Sequence, residues 1–360
     1  MSFSFNQIDD YIQKIQKVPV TAKVFLLQNL SIMIKAGIPL AESLKTLTTQ
    51  TSNKKLKMIL TAVSDKINQG KNFGESLEDY KDDFDEMFIN MIKSGEISGK
   101  LEETLKTLYL QTKKDYELKG KIKSAMIYPI IILCAMLGIG IFIMLFILPN
   151  LTKVFTDMNI ELPLATKILI GTSSFLQNNG LLTLGIVIFS AVLITRLLKT
   201  ASGKRTFDYL MIKTPILSPI ITKINLARIS RSLSSLIKTD INIINALEIT
   251  SKVVTNSFYR NALIESVEFI KKGQKLESVF TSHPDIFPPI MQQMVAVGEE
   301  TGSLDEILDT IAGFYEEEVS NTMNNLPTII EPVLMLCMGG AIAIVALAVM
   351  MPMYSLANNF

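Results

Sequence analysis

One histidine and two cysteines are nearly all the chain offers to metal or nucleophile chemistry. Cys134 and Cys337 both lie deep in apolar runs, which excludes a disulfide framework and the Cys/His spacing of a zinc site. His283 sits in the loop-like stretch SHPDIFPP and reads as a surface or packing residue rather than a ligand. An excess of one charge is also missing. With 35 Lys and Arg against 34 Asp and Glu, nothing argues for nucleic-acid binding. No segment has the order G-x-x-x-x-G-K-[ST] of a phosphate loop, and GKNFGES (Gly70 to Ser76) lacks the lysine–hydroxyl pair. The N-terminus MSFSFNQIDDYIQKIQK has no apolar core, so no signal peptide is expected there. No catalytic residue, cofactor or metal is expected.

What the chain does have is a copy of itself. GEISGKLEETL (Gly95 to Leu105) lines up without a gap on GEETGSLDEIL (Gly298 to Leu308), 203 positions downstream. The same shift carries Gly70 onto Gly273, Pro129 onto Pro332, Cys134 onto Cys337 and Pro149 onto Pro352. A polar part and an apolar span are therefore repeated together.

Three apolar runs are long enough to cross a bilayer. Ile130 to Leu148 holds 19 uncharged, mostly apolar residues between Pro129 and Pro149. At about 1.5 Å per residue such a run crosses a hydrocarbon core of about 30 Å. A second run, roughly Phe175 to Thr195, is diluted at its start by Gln177, Asn178 and Asn179. The third, Val333 to Met351, again lies between prolines. Lys113, Lys114, Lys119, Lys121 and Lys123 precede the first span, and Arg196, Lys199, Lys204 and Arg205 come after the second. The positive-inside bias then places the N-terminus and both polar bodies in the cytoplasm and the C-terminus outside. Two bodies on one side need an odd number of extra spans between them, which the unrepeated second run supplies. The duplication is parallel, unlike the inverted repeats of many secondary transporters.

Both bodies read as helical. Leu40, Leu44 and Leu47 keep helical spacing, as do Leu56, Leu60, Val63 and Ile67, and then Leu101, Leu105 and Leu108. Ile243, Leu247 and Thr250 stand for the first stripe in the second copy, and no strand alternation of useful length appears. The expected fold is all-α and membrane-integral, with two repeated cytoplasmic helical bundles and three transmembrane helices. The boundaries are an N-terminal segment 1–20, a first helical domain 21–127, span 128–149 and a periplasmic connection 150–174. Then come span 175–198, a second helical domain 199–328, span 329–353 and a periplasmic tail 354–360. The last helix of each body is expected to run on towards its span.

The sharpest local motif is G-E-x-x-G-x-L, present twice: Gly95, Glu96, Gly99 and Gly298, Glu299, Gly302. One reading is a helix–turn–helix corner, since glycine is favoured where a helix ends in a left-handed residue. Ser303 and Glu306 have the spacing of a capping box for a helix starting near Leu304, while Lys100 replaces that serine in the first copy. The two glutamates are either ordinary solvated residues or pair with a cation in a partner or in the other body. Seven acidic residues between Glu75 and Glu86 form either a solvated face or a docking surface for a basic partner. Glu331 and Pro332 stand at the edge of the third span, where a carboxylate can still reach water or meet another helix. Gly339, Ala343 and Ala346 make a small-residue stripe of the kind that lets helices approach closely.

Taken together, the twin glycine motifs, IMIKAGIPLAESL (Ile32 to Leu44), Tyr128-Pro129, Glu331-Pro332 and the closing MPMYSL (Met351 to Leu356) resemble the GspF/PilC family. Its members are inner-membrane platform proteins of type II secretion and type IV pilus machines, and the likeness covers about residues 20 to 358. Two features depart from the family pattern. The extra N-terminal region of many members is nearly absent, and Thr239-Asp240 stands where the first copy has Ala36-Gly37. The resemblance implies a non-enzymatic inner-membrane protein that couples a cytoplasmic hexameric ATPase to insertion of pilin or pseudopilin subunits into a filament. It also implies contacts with other inner-membrane assembly proteins and the lipid bilayer, self-association, and no direct nucleic-acid contact. The alternative is a membrane permease or transporter subunit. Against it stand three spans with no ionisable residue near mid-bilayer and the parallel repeat.

Overall fold

The computed structural model describes residues 17–150, 164–215 and 217–357. Expectations for residues 1–16, for most of the first connection and for residues 358–360 lie outside the described residues. Among the described residues every regular element is helical.

The chain divides into two compact units. The first comprises Met1–Gly120 and Asp208–Ser320, and the second Lys121–Phe207 and Asn321–Phe360. The first unit therefore holds both polar bodies. In the first body the helices are α1 (Val20–Lys35), α2 (Leu40–Gln50), α3 (Lys54–Asn68), α4 (Phe73–Leu77), α5 (Glu86–Ile97) and the start of α6 (Leu101–Phe142). Next in the chain are α7 (Leu164–Asn178), α8 (Gly180–Lys199) and α9 (Ala201–Lys213). The second body then has α10 (Ser218–Lys238), α11 (Ile243–Val253), α12 (Ser257–Lys271), α13 (Leu276–Ser282), α14 (Pro289–Thr301) and the start of α15 (Leu304–Ala357).

The 203-residue shift carries these boundaries as well as the motif. It maps α2 onto α11 and α3 onto α12 at both ends, and the starts of α4, α5 and α6 onto those of α13, α14 and α15. Local chemistry explains several of these starts. Asn53 caps α3 by accepting from Leu56 N at 2.8 Å, and its counterpart Asn256 accepts from Phe258 N at 3.0 Å. Asp85 caps α5 through Phe88 N at 2.9 Å. The equivalent helix α14 opens instead on Pro289, whose fixed φ suits a first helical position and which has no N–H to satisfy. Such a cap contributes about 1 kcal/mol.

The apolar stripes face inward as expected: Leu44, Leu47, Leu56, Leu60, Val63, Leu105 and Leu108 are buried in the first body, and Leu247 and Thr250 in the second. The second core is the more aromatic. Phe280 stacks on Phe287 with centroids 4.0 Å apart, and Tyr259 meets Phe287 edge-on at 5.8 Å. The shift places Leu77, Phe84 and Leu56 at these positions in the first body.

Among the described residues three helices are long and apolar enough to cross a membrane: α6 with its continuation to Asn150, α8, and α15 to at least Leu347. Their most apolar windows contain no buried residue, so their side chains are left for lipid to cover. Both long helices run without a break from the glycine corner into the apolar stretch, through Pro129 and Pro332. Each proline removes one i→i−4 bond, yet an apolar surrounding keeps the rest of the ladder closed.

The second apolar helix begins at Gly180, inside the range expected from composition. Asn179, at φ −127°, separates it from α7. Of the polar residues that dilute its start, Gln177 and Asn178 belong to α7, where Gln177 has a task. Past α6, residues Ile143–Ile147 form a π-helical turn. The Ser173 hydroxyl donates to Met144 O in that turn, and Gln177 Nε2 donates to Leu145 O at 3.1 Å. Carbonyls that a wide turn leaves poorly bonded are thus satisfied by side chains of the next helix.

Candidate functional site

The twin glutamates are hooks. Glu96, on α5, receives Phe73 N on Oε1 at 2.7 Å and Gly74 N on Oε2 at 3.0 Å. Glu299, on α14, receives Leu276 N at 2.7 Å and Glu277 N at 2.9 Å in the same way. Each carboxylate closes the N-terminus of a short helix that begins 23 residues earlier and has no side-chain cap of its own. The first amides of a helix lack intrahelical acceptors and carry partial positive charge, so a bidentate carboxylate suits them. Charge-assisted bonds of this kind are worth about 1.5–3 kcal/mol each.

The glycines let those hooks close. A Cβ on Gly95 would run into Thr104, with Thr104 Cβ at 2.6 Å. On Gly298 it would meet Leu304 Cα at 3.1 Å. Helix α5 therefore lies directly on α6, and α14 on α15. Gly99 and Gly302 both have φ +71°, the left-handed turn expected of such a corner. Helix α15 starts at Leu304, and the Ser303 hydroxyl lies 2.6 Å from that of Thr301.

Within the first unit the two bodies touch, and they do so at the position where the copies depart. Thr239 O accepts from the Ser94 hydroxyl at 2.7 Å. Asp240 adopts φ +60°, where Gly37 has φ +81° in the first copy. Its carboxylate pairs with Lys100, and this hydrogen bond raises the lysine pKa. Lys252 and Glu86 close the contact at 2.7 Å. Further along, Ser235 Oγ and Gln111 Oε1 are 3.0 Å apart, and Lys114 reaches Glu316 at 3.5 Å.

Sequence reasoning missed a charged cluster beside this contact. Arg231 is paired with Asp309 and, at 2.7 Å, with Glu316, while Lys238 holds the other oxygen of Asp309 at 2.8 Å. Burial pushes the Asp309 carboxyl up, but Lys238 and Arg231 outweigh it and hold the group below the usual range. The shift puts Lys106 at the place of Asp309, Gln28 at that of Arg231 and Lys113 at that of Glu316, so the cluster is unique to the second body. That mismatch between copies was the available signal.

The acidic stretch of the first body is taken apart by folding. Glu78 pairs with Lys93 and Asp79 with Lys66. Buried Asp83 accepts from Val18 N at 2.8 Å and pairs with Lys55 at 2.8 Å. Asp85 caps α5 and Glu86 holds Lys252. His283 packs near Val279 O and Glu265. Among the described residues no group of three or more His, Cys, Asp or Glu is placed to hold a metal.

Glu331 and Pro332 lie within α15, the glutamate half-buried and the proline exposed. Gly339, Ala343 and Ala346 are exposed on the same helix, and a Cβ on Gly339 would meet nothing within 4 Å.

A family model described as type II secretion system (T2SS), protein F, matches the chain twice, over residues 26–149 and 229–352. The two matches are offset by the same 203 residues as the repeat. The chain belongs to the type II secretion system protein F family. Among its relatives, the type IV pilus assembly protein PilC of Thermus thermophilus is 34% identical over 331 residues, covering 91% of this chain and 81% of the relative. PilC of Myxococcus xanthus is 32% identical over 326 residues, covering 91% and 78%. The type II secretion system protein F of Vibrio cholerae is 29% identical over 331 residues, covering 92% and 81%. This chain is a membrane protein that carries the family's domain in duplicate.

Proposed function

We propose that the chain is the inner-membrane platform of a type IV pilus or type II secretion machine. In this reading it couples a cytoplasmic assembly ATPase to the insertion of pilin or pseudopilin subunits into a filament. The observation that carries it is the pairing of two helical bodies into one folded unit, each leading by an unbroken helix into an apolar stretch. A part built to pass force from a motor to subunits in the bilayer needs such a continuous element. Family membership supports the same assignment. The lysines before the first span and the basic residues after the second support bodies in the cytoplasm and a periplasmic C-terminus.

The glycine corners around Gly99 and Gly302, held by Gly95, Glu96, Gly298 and Glu299, are the proposed rim of the ATPase contact. Glu331, Pro332 and the stripe Gly339, Ala343 and Ala346 are the proposed contact for pilin or another inner-membrane assembly protein. The test is photo-crosslinking in cells from probes placed beside Gly99, Gly302 and Gly339, read by mass spectrometry. Recovery of an assembly ATPase from the corner probes and a pilin from the Gly339 probe is expected. Recovery of neither, in a cell that contains both, overturns the assignment.

A further inference from the structure

Helix α9 (Ala201–Lys213) has 13 residues, too few to cross a bilayer, yet it starts where a span ends. Between α8 and α9 stands Thr200, extended at φ −72° and ψ 150°, so the chain leaves the axis of α8 there. The Thr200 hydroxyl donates to Leu197 O at 2.6 Å, in the last turn of α8. It accepts from Gly203 N at 3.1 Å, in the first turn of α9, as an N-cap does. A Cβ on Gly203 would run into the Leu197 carbonyl. The first turn of α9 is thus fixed against the last turn of the span, and the glycine permits the approach.

Gly203, Phe207 and Leu210 share one face of α9, being four and three residues apart. Phe207 is 41% exposed and Leu210 57%. Asp208 and Ile212 share a different face. Asp208 is buried and accepts from Ser257 N at 2.8 Å, and Ile212 packs at the edge of the core. The face that meets the end of the span is therefore the one on which two large apolar side chains stay uncovered.

The charge on this segment has one sign. Asp208 is the only acid from Leu164 to Thr239, and its carboxylate is already engaged. Arg196 and Lys199 end α8, and Lys204, Arg205 and Lys213 lie on α9. Among the described residues Arg196, Lys199, Lys204 and Arg205 pair with no carboxylate, whereas Lys66, Lys93, Lys100 and Lys252 of the bodies do. Lys213 lies over the Tyr209 ring at 5.2 Å. The bias of cations towards the cytoplasmic side accounts for these charges but not for Phe207 and Leu210.

We propose that α9 is an interfacial helix that docks on anionic phospholipid of the cytoplasmic leaflet. Phe207 and Leu210 enter the boundary between headgroups and acyl chains, and Lys204, Arg205 and Lys213 meet lipid phosphates. Composition alone had put this segment in the cytoplasmic body. A helix that joins exposed apolar residues to unpaired cations at the end of a span fits the headgroup layer instead.

The test uses the full chain with Cys134→Ser and Cys337→Ser, reconstituted in vesicles and spin-labelled at one introduced cysteine. Collision with oxygen, which concentrates among acyl chains, is compared with collision with a water-soluble nickel chelate. Leu184→Cys, exposed on α8, marks the bilayer, and Ile97→Cys, 85% exposed on the first body, marks water. Ordinary values at these two sites show that each variant is inserted and folded. With phosphatidylglycerol present, labels at Phe207→Cys and Leu210→Cys are expected to give oxygen-to-nickel ratios several-fold above that of Ile97→Cys. In phosphatidylcholine alone the ratios should fall several-fold. Arg205→Gln with Lys213→Gln should cause the same fall in the presence of phosphatidylglycerol, while Arg196, Lys199 and Lys204 keep the orientation. Ratios equal to that of Ile97→Cys in both lipids overturn the proposal. Shielding from both probes also overturns it, because protein would then cover the face. So do high ratios that ignore phosphatidylglycerol, since anionic headgroups would then play no part.

Discussion

The α1–α2 turn and the α10–α11 turn take one backbone path with different residues. Ile38 N bonds to Met33 O at 3.0 Å, and Ile241 N bonds to Leu236 O at 3.1 Å. In the first turn the left-handed residue is Gly37, and the turn is exposed. In the second it is Asp240, whose neighbour Thr239 is buried against the first body. A non-glycine residue with φ near +60° costs roughly 1–2 kcal/mol. The second body accepts that cost and gains the pairing with Lys100. At the glycine corners the copies agree: both use a glutamate hook, both pack a helix on a glycine, both turn at φ +71°. The corners fasten each body internally, while at this turn the copies differ and the bodies meet.

The strongest way to break that comparison is at the shared fastenings. Gly95→Val should destabilise the first body by about 3 kcal/mol or more through overpacking against Thr104. Gly298→Val should cost less, because its nearest obstacle is 3.1 Å away. Thermal unfolding of the purified protein in detergent checks the order, and equal losses would mean the corners are not packed as described. Glu96→Ala and Glu299→Ala should each cost about 2–3 kcal/mol, since each exposes two short-helix amides. Amide exchange in Phe73–Leu77 and Leu276–Ser282 would rise in the matching variant and stay unchanged in the other.

Smaller changes sharpen the contrast between the turns. Gly37→Asp should lose about 1 kcal/mol, because the strain is added with no lysine to answer it. Asp240→Gly should change stability by less than that while loosening the two bodies, seen as faster cross-linker access to Ser94. The smallest expected effect is in acid. The Asp309 carboxyl is held below its ordinary value, so its contribution is complete above the unfolded pKa of about 3.9 and is lost as pH falls through the folded one. Asp309→Asn should flatten stability below about pH 4, an effect without counterpart at Lys106.

The helices, their order and their apolar faces were legible because each periodic stripe is written out twice. Glycine at positions 99 and 302 announced the corners, since a helix ending in a left-handed residue leaves that mark. The task of Glu96 was not legible. Its partners are backbone amides 22 and 23 residues away, and an amide carries no side-chain signature. The contact between bodies was hidden for a different reason. A head-to-tail contact pairs non-equivalent residues, so comparison of the copies marks Asp240 as odd without naming Lys100. The start of α8 was misplaced because Gln177 and Asn178 read as a weakened span, when Gln177 is bonded to the turn at the end of the first.

That π turn at Ile143–Ile147 also shifts the phase of the helix beyond it. A turn that takes in one extra residue rotates later side chains by about 100° from where an unbroken helix would aim them. Leu148, just past it, is buried, while Phe142, Phe146 and Ile147 are exposed. A helical wheel drawn straight through from Leu101 is therefore out of phase by the time it reaches Leu148. Any scan of this segment for lipid-facing positions must therefore restart its count at Leu148.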